Sequence, residues 1–253
     1  DWTTGDSPGS SLISCILLGG SIEARICTGA WTNTGSPETV SIAHGLSGTP
    51  EVIIGLHSSS AGSTLARADF GWWANNAQTG MASQWQSSAT AMSTNQTVFS
   101  ANITAKHGGS ASLNYAMTVT NIGATNFDMN SDAATGEVAT QLFLVMRGVD
   151  TALTAKVGIY TTPVATGNDT PISGMTAAPQ LLLSIPTRMT AVDTGNTSDP
   201  AGAVGLIGAV NNAGAGTQYG GMTSTIKDSV TTTNNSHEVT NSQALRILTN
   251  IGG

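Results

Sequence analysis

Charge is what this sequence has least of. Its 8 Lys and Arg and 15 Asp and Glu make 9% of 253 residues, where about 25% is usual. Long amphipathic helices need Glu, Lys and Arg on their wet face, so this scarcity excludes a mainly helical chain. The bases are scattered singly from Arg25 to Arg246. They form no basic patch of the kind that counterion release requires, and nucleic acid is not an expected partner. No apolar run approaches the roughly 18 residues needed to span a bilayer, so no membrane segment is expected. Cysteine is almost absent too. Cys15 and Cys27, in LISCILL and ARICTGA, have strand-like surroundings that favour two buried free thiols over one bridge. No second Cys pair or His cluster accompanies them, so neither a metal nor another cofactor is expected.

Gly, Ala, Ser, Thr and Asn are abundant instead, mean hydropathy is +0.04 and the net charge is −7. A surface of neutral hydroxyls and amides points to an all-β protein. The length allows one large domain or two of ordinary size, each able to bury a core. A chain that opens on Asp1 rather than Met is expected to be processed or truncated.

The most legible stretch is TVSIAHGLSGTPEVIIGLH, Thr39 to His57. Val40 and Ile42 alternate with polar neighbours, Gly45 to Pro50 supply turn chemistry, and Val52, Ile53, Ile54 and Leu56 suit a buried strand, so the stretch reads as a hairpin. Leu12–Leu18, Ile22–Thr28, Phe70–Ala74, Ser112–Thr120 and Val138–Met146 read as further strands. His57–Gly62 reads as a loop, and Asn75–Asn76 and Thr79–Gly80 as breaks.

Much of this recurs downstream. DTPISGMTAAPQLLLSI, Asp169 to Ile185, places Gly174 and Pro179 under Gly45 and Pro50. Ala155–Lys156 falls under Ala24–Arg25, Asn211–Asn212 under Asn75–Asn76, and Gln218–Tyr219 under Gln84–Trp85. The expected organisation is an arm with a first strand over 1–20, then two tandem antiparallel β-sandwich modules, jelly-roll or lectin-like, over 21–148 and 149–253. The second is the shorter copy.

Catalytic signals are few. His44, His57, His107 and His237 stand in no HExxH or HxH arrangement, and no GxSxG elbow occurs. No catalytic residue is assigned, and the chain is expected not to be an enzyme. A polysaccharide hydrolase would need a carboxylate pair such as Glu51 and Asp69 to meet in a cleft. Asp128, Asn130 and Asp132 match the opening of a calcium loop, but Ala133 stands where its sharp-turn Gly belongs. A solvated strand face is the better reading. Sequons at Asn95, Asn102, Asn168, Asn196 and Asn234 matter only in a secreted eukaryotic protein.

The candidate contact site is Trp72, Trp73, Asn75, Asn76, Gln84 and Trp85. Aromatic faces stack on sugar rings and amides bond hydroxyls. In an alternating strand, however, Trp72 and Trp73 face opposite ways, so one can enter the core while the other covers a subunit or a ligand. Subunit contact ranks ahead of sugar.

TVSIAHGL, the GTP turn and EVIIGL, followed by NFDM and the closing apolar strand, resemble the repeated signature of bacteriophage virion modules of tail-fibre, head-fibre and decoration type. These are similar to the H-type lectin β-sandwich and commonly form trimers. The resemblance implies a structural virion protein, located on the virion or otherwise extracellular. Its expected partners are itself, as a homo-oligomer, other virion proteins, and host-surface glycans.

Overall fold

The computed structural model describes residues 20–31, 37–60, 65–87, 92–107, 113–132 and 139–161, and shorter stretches between 174 and 240. Within them every regular element is a β-strand, and no helix is long and apolar enough to cross a membrane. Leu12–Leu18 and Cys15 lie outside the described residues.

Ten strands make two antiparallel sheets. One holds β1 (Ile22–Trp31), β10 (Ala139–Gly148), β3 (Val52–Ser60), β4 (Leu65–Ala74), β5 (Ala77–Ser87) and β6 (Met92–Phe99), in that order. The other runs β2 (Thr39–Ala43), β9 (Asn126–Ser131), β8 (Leu113–Thr120) and β7 (Thr104–His107). Alternation explains what lies between them. Ile53, Trp73, Phe143 and Val145 from the first sheet and Ile42, Met117, Val119, Phe127 and Met129 from the second form one buried cluster. Each large side chain so buried contributes about 1.5–3 kcal/mol. Phe127 and Phe143 meet edge to face across the layers, ring centroids 5.3 Å apart.

The Thr39–His57 stretch is not a hairpin. β2 pairs with β9 while β3 pairs with β10 and β4, so Gly45 to Pro50 carry the chain from one sheet to the other. The turn is fixed from within. His44 is buried; its Nδ1 accepts from the Leu46 N–H at 3.1 Å and its Nε2 lies 3.3 Å from the Gly123 carbonyl, so Nε2 carries the proton and donates. Outside it, the Glu23 carboxylate accepts from the Ser47 N–H at 3.0 Å and the Ser47 hydroxyl at 2.6 Å, and Arg147 Nη1 donates to Ser47 Oγ at 2.6 Å. The Ser47 hydroxyl, then its N–H, hold Glu23 below its ordinary 4.5, with Arg25 and Arg147 adding to the effect. That contribution to stability is present above pH 4.5 and is lost as pH falls through the lowered value.

Two expected breaks are strand. His57 to Ser60 continue β3, and Thr79–Gly80 lie within β5. Gly80 belongs there because it pairs with Gly71, and both glycines face the Ile103 backbone just before β7. A Cβ on Gly71 would stand 1.6 Å from the Ile103 carbonyl oxygen, and one on Gly80 2.5 Å from it. The two glycines therefore let the second sheet approach the first at backbone distance.

Further along, β11 (Leu181–Ser184), β13 (Gly208–Asn211), β14 (Gln218–Ile226) and β12 (Ala203–Gly205) form another antiparallel sheet, with β15 (Asn234–Thr240) on β14.

Candidate functional site

The candidate residues lie on the β4–β5 hairpin, and the hairpin separates them. Trp73 is 6% exposed inside the core cluster, which removes it from the contact set. Trp72 is half-buried on the opposite face. Asn75 and Asn76 have φ of 50° and 61° and join the paired Ala74 and Ala77. Two residues at positive φ are what a type I′ hairpin turn requires, so turn geometry already accounts for these exposed amides. Gln84 lies opposite Arg67 and Trp85 opposite Ala66. At about 3.3 Å per residue, Trp85 is roughly 20 Å along β5 from Thr79, the partner of Trp72. The set makes no single cleft.

Trp72 belongs to a larger feature. Cross-strand register aligns Ile26, Leu144, Ile54, Trp72 and Thr79 in one row of the six-stranded sheet's outer face. It aligns Thr28, Leu142, Leu56, Phe70, Met81 and Val98 in the next. Ile54 and Met81 are buried, Leu144, Leu56, Phe70, Trp72 and Val98 are half-buried, and Leu142 and Ile26 are 39% and 69% exposed. The four-stranded sheet has the opposite outer face, where the rows are Ser41, Asp128, Thr120 and Thr39, Asn130, Thr118. One sheet thus turns hydroxyls, amides and a carboxylate outward, and the other Ile, Leu, Phe and Trp, of which Ile26 and Leu142 are the exposed members. An antiparallel sheet free on one side alternates apolar and polar, whereas one apolar on both faces is built to be covered on both.

A hollow of about 400 Å³ opens beside the β4–β5 turn, lined among others by Asn76, Thr79, Ser100, Val157 and Ile159. Most of its polar groups are already engaged. Thr79 Oγ1 donates to the Phe99 carbonyl at 2.5 Å, Gln78 exchanges bonds with the Val119 backbone, and Ser100 donates from N–H and hydroxyl to Asp193.

Sequence reasoning missed a buried polar pair. His57 on β3 and Asp69 on β4 face each other in register, with His57 Nδ1 2.8 Å from Asp69 Oδ2. Thr104 Oγ1 on β7 donates to the same oxygen at 2.7 Å. The side chains of the pair are 5% and 3% exposed, so this node ties the sheets together inside the core. Only the β3–β4 register could have revealed it.

The other carboxylates are structural. Glu51 Oε2 accepts from the Gly148 and Leu153 N–H groups at 2.8 and 2.7 Å, roughly 20 Å along the sheet from Asp69. The Glu51–Asp69 pair that hydrolysis would need does not form. Asp128 accepts from Asn121 Nδ2, Asn130 donates to Thr120 Oγ1 and Asp132 accepts from the Ala116 N–H. Among the described residues no group of three or more His, Cys, Asp or Glu could hold a metal.

Cys27 is a half-buried free thiol that burial pushes up from 9.0 to about 11. With Cys15→Ser leaving it as the sole thiol, a disulfide reagent at pH 8 should react about 100-fold slower with the folded than with the urea-unfolded chain. Equal rates would contradict the burial. The folded state holds this proton more tightly, so its contribution to stability is whole below pH 9 and is lost as pH rises through about 11.

Comparison with protein-family models, with curated proteins and with solved structures gave no match.

Proposed function

We propose that this chain is a non-enzymatic structural component of a virus particle, of the phage decoration, head-fibre or tail-fibre type, which assembles with copies of itself and with other virion proteins. The observation that carries the assembly is the apolar outer face of the six-stranded sheet, from Ile26 and Leu142 to Trp72. A surface with few charges suits permanent packing, where buried charge is expensive. The virion setting rests on the resemblance of the Thr39–His57 and Asn126–Met146 stretches.

Tandem β-sandwich modules complete this reading. Gly45 and Gly174, matched in sequence, both have positive φ, at 69° and 94°. β11 pairs with β13 and β13 with β14, as β3 pairs with β4 and β4 with β5. These strands also carry the matched positions Val52/Leu181, Ala74/Val210 and Gln84/Gln218, which supports duplication of one module.

Sedimentation velocity tests the assembly. Trp72→Ser combined with Leu144→Ser should weaken self-association at least tenfold while far-ultraviolet circular dichroism keeps its β signature. Unchanged association would remove this face from the interface. The alternative is a glycan-binding adhesin that uses the aromatic region from Trp72 to Trp85. A glycan array discriminates, since a hit lost on Trp85→Ala would support the adhesin.

A further inference from the structure

β1 is the outermost strand of the six-stranded sheet, and among the described residues β10 is its only sheet neighbour. Its ten residues follow β10 without a register shift and include neither Pro nor Lys. Bulges, prolines and lysines are the usual means of blunting a strand edge, and none operates here. Its two charges are turned to other work: Glu23 holds Ser47, and Arg25 Nε donates to the Gly45 carbonyl at 3.4 Å. At mid-strand Ile26 stands 69% exposed, with Leu144 opposite it and the 39%-exposed Leu142 nearby.

The far edge is treated differently. At the end of β6 the Asp193 N–H donates to the Val98 carbonyl at 2.7 Å, and the Asp193 carboxylate accepts from the Ser100 N–H at 3.0 Å and from its hydroxyl. The chain itself thus caps one end of that edge. A sheet bare along β1 can close on a second β1 edge about a twofold axis.

We propose that β1 pairs antiparallel with β1 of a second copy of this chain. The register follows from the pleat. Directly opposed residues share a face, so the outer-face residues Ile22, Ala24, Ile26, Thr28 and Ala30 must oppose one another. Near full overlap, this leaves Ile26 opposite Ile26 of the second copy, or Cys27 opposite Cys27 of the second copy. The first is assigned, because it covers the exposed Ile26 with its own equivalent. The contact adds about ten backbone hydrogen bonds and joins the two apolar outer faces into one. It rests on the homo-oligomer reading above, and it builds pairs where the resemblance alone implies threes.

Disulfide trapping tests it in the full chain. With Cys15→Ser and Cys27→Ser removing both native thiols, Ile26→Cys should give mainly disulfide-linked dimer on mild oxidation, at least tenfold more than Ala124→Cys on an exposed turn. Ile26→Lys should weaken association at least tenfold and leave the melting temperature of the monomer unchanged. Linkage through native Cys27 in the Cys15→Ser chain, with none at position 26, would overturn the register. A wild-type oligomer with no linkage at position 26 and no response to Ile26→Lys would overturn the edge pairing alone. A wild-type monomer would overturn both this and the homo-oligomer reading, and would assign the β1 edge to another part of the same chain.

Discussion

Gly71→Ala is expected to abolish folding or to lower stability by more than about 3 kcal/mol, with Tm falling by roughly 10 °C. The new Cβ would lie 1.6 Å from the Ile103 carbonyl oxygen. Ile103 is fully buried and its N–H donates to the Met117 carbonyl at 3.0 Å, so it cannot step aside without loosening the second sheet. No rotamer change relieves a contact between two backbones. Gly45→Ala is the control, since Gly45 has φ +69° with nothing within 4 Å of a Cβ. There only the left-handed backbone is penalised, at about 1–2 kcal/mol. Thermal melts should separate the two clearly. A Gly71→Ala chain that melts with the wild type would mean that the Ile103 backbone does not rest on β4.

Asp69→Ala should be the next most damaging single change, at about 3–5 kcal/mol by urea unfolding. It removes the acceptor shared by His57 Nδ1 and Thr104 Oγ1 and strands two donors where water does not reach. Asp69→Asn keeps one acceptor oxygen and should fall between the two. The His57→Ala, Asp69→Ala double variant should lose less than the sum of the singles, because the second change removes a group the first left unpaired. A loss under about 1 kcal/mol for Asp69→Ala would show that the node does not join the sheets.

Alternation decided what could be read from the sequence. The expected strand Ser112 to Thr120 is β8, with Met117 and Val119 in the core. The opposed directions of Trp72 and Trp73 were legible for the same reason. Pairing partners were not. Periodicity says which face a residue occupies but not which strand lies beside it, so β2 and β3 read as a hairpin although they belong to different sheets. Gly80 read as a break because its use, close approach of the Ile103 backbone, depends on a distant segment.

The site was legible in part. Apolar runs such as Val52–Leu56 announced strands buried on both faces. Which of their residues would stay uncovered depended on the order β1, β10, β3, β4, β5, β6. Ile26, the most exposed large apolar side chain among the described residues, carries no local signal that sets it apart from the other isoleucines of these strands. Pairings that need both strands in hand, His57 with Asp69 above all, lay beyond any reading of one strand at a time.

The proposal that another copy covers the apolar outer face of the six-stranded sheet is the centre of this account. The molar mass of the full chain by light scattering, followed from micromolar concentration downward, tests that most directly. The expected result is a defined multiple of 25.6 kDa that dissociates on dilution. A mass of one chain at every concentration would contradict it.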